Sequence, residues 1–180
     1  MDTQKLEKII ISEEEISQRI DELAAQLNKD FKDKEVIMVS ILKSSLYFMA
    51  DLSRKLKFPI RLDFLELNHY ADEDNSGVIR VTRDLEFSIS GKNVLIIENI
   101  IRTGLTHSYL LKNLGARNPK SINICTLLHI SDNKLLDLPV QYTGFEIEDK
   151  FVVGYGLDYK EQYRNLSYIA EYKENPQSKN

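Results

Sequence analysis

A phosphate-binding turn is predicted at residues 102–106 (R-T-G-L-T), within the segment NVLIIENIIRTGLTHSYLLKNLGA. An apolar run ends in Glu98, Arg102 follows it, and a helical pattern begins beyond Gly104. Glycine lets the backbone approach a ligand closely, and the unpaired amides at a helix start favour an anion. These residue types and their spacing indicate a turn that could hold a phosphate group, with an ordinary strand-to-helix turn as the alternative.

The turn lies in a chain whose predicted strands and helices alternate. Ser12 followed by Glu15 has the spacing of a capping box and predicts a helix that continues to about Asn28. Apolar, β-branched runs predict buried strands, and longer periodic segments predict helices. The other predicted elements are strands at 35–42, 60–67, 78–83, 93–98, 121–128, 141–147 and 167–172, and helices at 45–57 and 105–116. The alternation predicts an α/β fold with a mainly parallel sheet flanked by helices, and residues 1–180 are expected to form a single domain.

Three polar residues lie at or just beyond the ends of predicted strands: Lys43, Glu98 and His129. Ligands of open α/β sheets bind beyond the carboxyl ends of the strands. The strand predictions alone therefore make these three residues candidates for a binding site.

The composition restricts the classes of function. The net charge is −4, which argues against general binding to nucleic acids or membrane surfaces, where a basic face is expected. The one cysteine, Cys125, lies in an apolar run and is expected to be a buried, unreactive thiol. The N-terminal segment lacks the apolar core of a signal peptide, and no run reaches membrane-spanning length. A cytoplasmic protein is therefore expected.

Four segments resemble the type I phosphoribosyltransferases, and more closely their hypoxanthine-guanine group: VLIIENIIRTGLT, NPKSINICTLL, YTGFEI and KFVVGYGLDYKEQYRNL. The likeness extends from about Ile11 to Tyr168. It implies transfer of ribose 5-phosphate from phosphoribosyl pyrophosphate (PRPP) to a purine nitrogen, with release of pyrophosphate and with Mg²⁺ as a cofactor. It also implies a small hood formed by the chain ends, and assembly as a homodimer or homotetramer.

The resemblance implies binding roles for several residues. Lys43 and Ser44 match a loop that holds pyrophosphate through backbone amides and a cis peptide. Serine replaces the usual glycine there, and its side chain could resist the backbone geometry of that loop. The other matched positions are the phosphate turn (Thr103, Gly104, Leu105 and Thr106), the aromatic that stacks on the purine (Phe151), the residue whose backbone meets the purine edge (Val152), a magnesium ligand (Asp158), a pyrophosphate contact (Arg164) and the lid tyrosine (Tyr70).

Two positions near the phosphate turn depart from the family pattern. The family has two adjacent acids that hold the ribose hydroxyls and a magnesium-bound water, and here these are Glu98 and Asn99. The family aspartate that accepts or steers the purine N7 proton is here Arg102. Arginine stays protonated and cannot act as a base. We expect its guanidinium to project into the phosphate-side pocket, toward a bound anion or toward Glu98.

A further departure concerns the choice of base. The family lysine that donates to the purine 6-oxo group is here Ile130, preceded by His129. An apolar side chain cannot read that oxygen, so discrimination between bases is expected to change. His129 is expected to be a surface histidine, which would replace the lysine only if the loop shifted.

Three hypotheses remain open. The first is a purine phosphoribosyltransferase that turns over slowly, since general-base help typically contributes about 10²- to 10⁴-fold. The second is a PRPP- or nucleotide-binding regulator or partner subunit without catalysis, in which Arg102 clamps a phosphate or carboxylate. The third is transfer to a different base that lacks the 6-oxo acceptor.

Overall fold

The computed structural model describes residues 5–70, 78–130, 135–136 and 138–173. The elements within these residues are, in chain order, β1 (Leu6–Ile11), α1 (Glu13–Asp30), β2 (Val36–Leu42), α2 (Leu46–Ser53), β3 (Ile60–Tyr70), β4 (Val78–Arg83), β5 (Asn93–Ile101), α3 (Leu105–Gly115), β6 (Ser121–Ile130), β7 (Tyr142–Ile147), β8 (Val152–Val153) and β9 (Ile169–Tyr172).

The central sheet has six strands in the order β4-β3-β2-β5-β6-β7. The pairs β2–β3, β2–β5, β5–β6 and β6–β7 are parallel, and β4 pairs antiparallel with β3 at one edge. Val36 of β2 lies opposite both Ile60 of β3 and Asn93 of β5, so β2 is an interior strand. The predicted α/β fold with a mainly parallel sheet is confirmed.

The interior strands are buried on both faces. In β2, Val36 and Met38 belong to the core cluster that includes the buried faces of α1 and α2. Ile37 and Val39 belong to the cluster that includes the buried face of α3. Successive side chains of a strand point to opposite faces, so an uninterrupted apolar run is needed to fill both. Helices α1 and α2 therefore cover one face of the sheet, and α3 covers the other.

The hood is a three-stranded antiparallel sheet in the order β1-β9-β8. Ala170 of β9 lies opposite Ile9 of β1 on one side and Val153 of β8 on the other. The two ends of the described chain thus meet, and the hood that the resemblance implies is confirmed. Strands β1 and β8 were absent from the sequence predictions.

The helices differ slightly from their predicted lengths. Helix α1 has the predicted capping box: Ser12 Oγ accepts the Glu15 amide at 3.2 Å, and Glu15 Oε2 accepts the Ser12 amide at 2.7 Å. It continues beyond Asn28 to Asp30. Helix α2 ends at Ser53, well before residue 57, because its buried face is complete at Leu52. No helix in the described residues is both long enough and apolar enough to span a membrane.

Strands β5 and β6 are longer than predicted. Additional parallel pairing of Ile101 with His129 extends both strands at their carboxyl ends. Glu98 and His129 therefore lie inside strands, and the prediction that they stand at or beyond strand ends is wrong. Lys43 follows β2 directly, as predicted.

Candidate functional site

The predicted phosphate-binding turn, residues 102–106 and hereafter the cradle turn, joins β5 to α3. Gly104 is the N-cap of α3, and its φ of 80° lies in the left-handed region that glycine adopts readily. A Cβ at this position would lie 3.0 Å from Leu138 Cδ1 and 3.2 Å from the carbonyl oxygen of Leu136. Both the backbone conformation and the close packing therefore require glycine.

A cavity of about 270 Å³ lies beside the cradle turn. The Ser108 amide donates to the Gly104 carbonyl at 2.9 Å, so the amides before it in the first turn are not used by the helix ladder. The positive end of the helix dipole lies at the same place, and the cavity therefore favours an anion. Leu105, which was predicted to bind ligand, is 49% exposed and lies outside the lining. The lining residues are Ile100, Arg102, Thr103, Gly104, Thr106 and His107.

Glu98 is buried, and its carboxylate is held by neighbouring protein groups. His107 Nε2 lies 3.0 Å from Glu98 Oε2, and both side chains are 8% exposed. Glu98 Oε1 accepts the Asn99 amide at 2.8 Å and lies 3.5 Å from the Ser44 hydroxyl. None of these three contacts was predicted from the sequence.

Asn99 is fully buried and connects β5 to the turn that follows β8. Its Nδ2 donates to the Tyr155 carbonyl at 2.8 Å. Its Oδ1 has no hydrogen-bond partner among the described residues. A buried amide oxygen without a partner costs free energy, so this atom is an acceptor that a ligand or a water molecule can satisfy.

The loop after β2 contains Lys43 and Ser44. The Leu42–Lys43 peptide is cis, as the resemblance implies. Lys43 Nζ donates to Glu161 Oε2 at 2.9 Å, and both side chains are more than half exposed. Ser44 is accommodated without a left-handed φ, and its hydroxyl faces Glu98.

Residues 154–164 bring Asp158, Glu161 and Arg164 next to the Lys43 loop. Arg164 Nη2 lies 2.8 Å from Asp158 Oδ1 and 3.0 Å from Glu161 Oε1. Because Glu161 also binds Lys43, the four side chains form one charge network. Arg164 Nε is buried and has no partner in the part of the chain that the structure describes. The structure thus groups three residues that the sequence predicted with Glu161, which the sequence did not single out.

This network perturbs Glu161. Hydrogen bonds from Lys43 and then Arg164 hold the pKa of the Glu161 carboxyl below its usual value. In β6, complete burial raises the pKa of the Cys125 thiol, and the prediction that this cysteine is buried is confirmed.

Arg102 lines the cavity, but its guanidinium crosses to the segment before β8. Nη1 donates to the Asp149 carboxylate, and Nη2 donates to the Lys150 carbonyl at 2.9 Å. Of the two orientations expected from the sequence, the one toward Glu98 is wrong, because Glu98 is already paired with His107. Arg102 instead joins the cradle turn to the residues next to Phe151.

The predicted purine-binding residues lie in and before β8. Phe151 is 38% exposed, and its ring packs edge-on against Tyr159 and Tyr172 at centroid distances of 5.8 and 5.9 Å. Val152 is buried in the hood. Phe151 is thus partly exposed next to Lys150, whose carbonyl accepts from Arg102.

Ile130 and His129 end strand β6. Ile130 is fully buried and His129 is 8% exposed, so the expectation of a surface histidine is wrong. The physical reason is that β6 pairs with β7 up to Ile130 and remains covered to its end. The side chain of the predicted lid residue, Tyr70, lies outside the described residues, and its backbone ends β3.

The predicted magnesium ligands, Glu98 and Asp158, do not form a protein cage. Within residues 5–173, excluding the undescribed gaps, no group of three or more His, Cys, Asp or Glu side chains could hold a metal ion. Magnesium commonly takes one or two carboxylates and completes its shell with substrate phosphates and water. Asp158 fits such a partial site, because its side chain is 28% exposed beside Arg164. Both carboxylates already have protein partners, but Glu98 fits less well because its side chain is only 8% exposed.

Comparison with known proteins identifies the family to which the chain belongs. The family model described as the phosphoribosyl transferase domain matches residues 9–160. The chain belongs to the phosphoribosyltransferase family.

Its relatives within that family narrow the assignment. The hypoxanthine-guanine phosphoribosyltransferase of Dictyostelium discoideum is 44% identical over 172 residues, covering 93% of this chain and 96% of the relative. That of Bacillus subtilis is 43% identical, covering 93% and 94%. The crystal structure of a hypoxanthine-guanine phosphoribosyltransferase from Bacillus anthracis matches with a TM-score of 0.88 at 38% identity, covering 92% of this chain and 98% of the other. The resemblance found in the sequence is confirmed.

Proposed function

We propose that the chain transfers the 5-phosphoribosyl group of PRPP to a 6-oxopurine, forming IMP or GMP in purine salvage, at a rate lowered by Arg102. The observation that carries this proposal is that three segments meet near the carboxyl ends of the parallel strands. They are the cradle turn, the Lys43 loop and residues 151–164. The relatives described above are named for this reaction with hypoxanthine and guanine.

Each segment has a role in the proposal. The ribosyl 5′-phosphate lies at the first turn of α3, where the amides are not used by the helix ladder. Pyrophosphate lies between Lys43 and Arg164, whose shared partner Glu161 is 63% exposed and can exchange with a phosphate. The purine lies on Phe151, with the Val152 backbone at its edge. Tyr70 closes over the reacting atoms and excludes water.

Removal of the purine N7 proton limits the rate in this proposal. A guanidinium cannot accept a proton, so Arg102 leaves the N7 proton to solvent. Loss of a general base costs about 10²- to 10⁴-fold, which slows transfer without abolishing it. A fixed cation also disfavours the positive charge that develops on the ribose. Mg²⁺, held by Asp158 together with PRPP, would offset the charge of the departing pyrophosphate.

A second candidate function is nucleotide or PRPP binding without turnover, as a regulator or partner subunit. The contact of Arg102 with Asp149 and the Lys150 carbonyl favours it, because a guanidinium that spans from the cradle turn to the purine-binding segment resembles a clamp more than a proton acceptor. A changed base preference is a variant of the first proposal, and the apolar Ile130 at the lysine position supports it.

The decisive experiment is a panel of hypoxanthine, guanine, xanthine and adenine with PRPP and Mg²⁺, following pyrophosphate release and nucleotide formation. We expect slow formation of IMP and GMP, with discrimination against adenine below about 100-fold because the 6-oxo donor is missing. If calorimetry shows GMP binding but no base is converted, the result would support the second candidate function, nucleotide binding without turnover. Neither binding nor transfer would reject both functions.

Assembly as a homodimer or homotetramer, and a cytoplasmic location, belong to the same proposal. Light scattering of the purified chain tests the assembly, with a monomer at working concentrations as the contrary result. Fluorescence microscopy of a tagged chain tests the location.

A further inference from the structure

His107 occupies a position that would ordinarily hold an apolar side chain. The buried residues of α3 are His107, Leu110 and Leu114, which are spaced along one helical face. A buried imidazole needs hydrogen-bond partners to offset the loss of water. Nε2 finds one in Glu98 Oε2 at 3.0 Å. A carboxylate only accepts, so Nε2 carries the proton and donates to Glu98.

This contact fixes the orientation of Glu98. Oε2 is held from α3 by His107, and Oε1 is held from the chain itself by the Asn99 amide at 2.8 Å. The Ser44 hydroxyl lies 3.5 Å from Oε1 as a third, longer contact. A carboxylate has about four acceptor positions, so these contacts still leave a lone pair for a ligand. The donors thus restrict the rotation of Glu98 without using up its capacity.

We propose that His107 is a positioning residue that orients Glu98 toward the ribose hydroxyls of the bound nucleotide or PRPP. The inference rests on the proposed function, since it takes the ribose to be the group that Glu98 receives. His107 also lines the cavity beside the cradle turn, so the contact lies next to the predicted phosphate position. Without the donor, a buried carboxylate loses its fixed geometry, and preorganised acceptors contribute more than mobile ones.

The test compares GMP with 2′-deoxy-GMP by calorimetry on the full chain. We expect the unmodified protein to prefer GMP on the order of tenfold, the usual effect of one hydrogen bond to a charged group. His107→Asn places its amide donor where imidazole has Nδ1 and cannot reach Glu98, so the preference falls to near unity. His107→Gln places the donor where imidazole has Nε2 and restores the preference.

Two controls separate positioning from a general loss of packing. Leu110→Ala lies on the same buried face of α3 and lowers thermal stability, but it keeps the preference for GMP. In a Glu98→Gln background, His107→Asn causes no further change, because the residue acts through Glu98.

Retention of the GMP preference in His107→Asn would overturn the inference, as would its absence in the unmodified protein or in His107→Gln. These outcomes differ from failure of the proposed function, which is absence of transfer while GMP still binds with discrimination. If the unmodified chain binds neither nucleotide, both are rejected.

Discussion

Arg102 donates hydrogen bonds to both the carboxylate of Asp149 and the carbonyl of Lys150, so the cradle turn and the segment before Phe151 are joined by one guanidinium. The resemblance would place a proton acceptor at the same position. Arginine at position 102 therefore has two separable consequences. Its residue type leaves the site without a base there, and its hydrogen bonds bridge the two sides of the predicted purine site.

The first prediction separates these consequences through Asp149→Asn, which weakens the bridge and leaves Arg102 in place. The Arg102 and Asp149 side chains are 36% and 41% exposed, so the ion pair contributes less than about 1 kcal/mol. We expect a change in melting temperature of less than about 4 °C, and transfer rates that stay slow. A large gain in transfer from Asp149→Asn alone would show that the bridge, and not the missing base, limits the reaction.

The second prediction concerns the contact between Gly156 and the Lys43 loop. A Cβ on Gly156 would lie 1.9 Å from the Ser44 carbonyl oxygen, and the φ of +96° is unfavourable for any other residue. Gly156→Ala should destabilise the protein by at least about 2 kcal/mol and weaken PRPP binding, as measured by thermal melting and calorimetry.

Gly115→Ala is the matched control, because nothing lies within 4 Å of a Cβ there and Gly115 ends α3. It should be neutral or stabilising by up to about 1 kcal/mol. Equal effects of the two substitutions would contradict the proposed contact between Gly156 and the loop.

The third prediction is a pH dependence at Glu161. Its folded pKa is lowered by Lys43 and Arg164, so it stays ionised and keeps both cations paired until the pH falls through that lowered value. Below it, the protonated carboxyl releases Lys43 for pyrophosphate and leaves Arg164 paired with Asp158. Glu161→Gln should therefore bind pyrophosphate several-fold more tightly at pH 7, and the rise in affinity toward acid pH should become smaller than in the unmodified protein.

The titration compares the two proteins from pH 7 down through the lowered pKa of Glu161, and protonation of pyrophosphate itself cancels between them. Parallel curves for the two proteins would remove Glu161 as a competitor for the predicted phosphate site.

The core and the order of elements follow from the sequence because they depend on local patterns. The β-branched run 36–42 fills two faces of a parallel sheet, and Ser12 with Glu15 marks a helix start. Strand β1 could not be predicted in this way, because it is mostly exposed and its pairing partner, Ile169–Tyr172, lies at the other end of the described chain.

At the site, the sequence singled out residues but not their contacts. Lys43, Asp158 and Arg164 lie in one charge network, and a strand end and a distinctive motif mark them in the sequence. The partners of Arg102 were missed because they lie far along the chain, and the pairing of Glu98 with His107 was missed because it depends on how α3 packs against β5. A signal for His107 existed, in a histidine that shares a helical face with Leu110 and Leu114.

The most direct test of the account is the rate of IMP formation from hypoxanthine and PRPP by the unmodified chain and by Arg102→Asp, with Arg102→Ala as control. Restoring an acceptor at residue 102 should raise kcat/KM by about 100-fold or more, whereas alanine, which removes the bridge without supplying a base, should give little gain. Fast turnover by the unmodified chain, or equal gains from alanine and aspartate, would contradict the claim that Arg102 limits the reaction by replacing a proton acceptor.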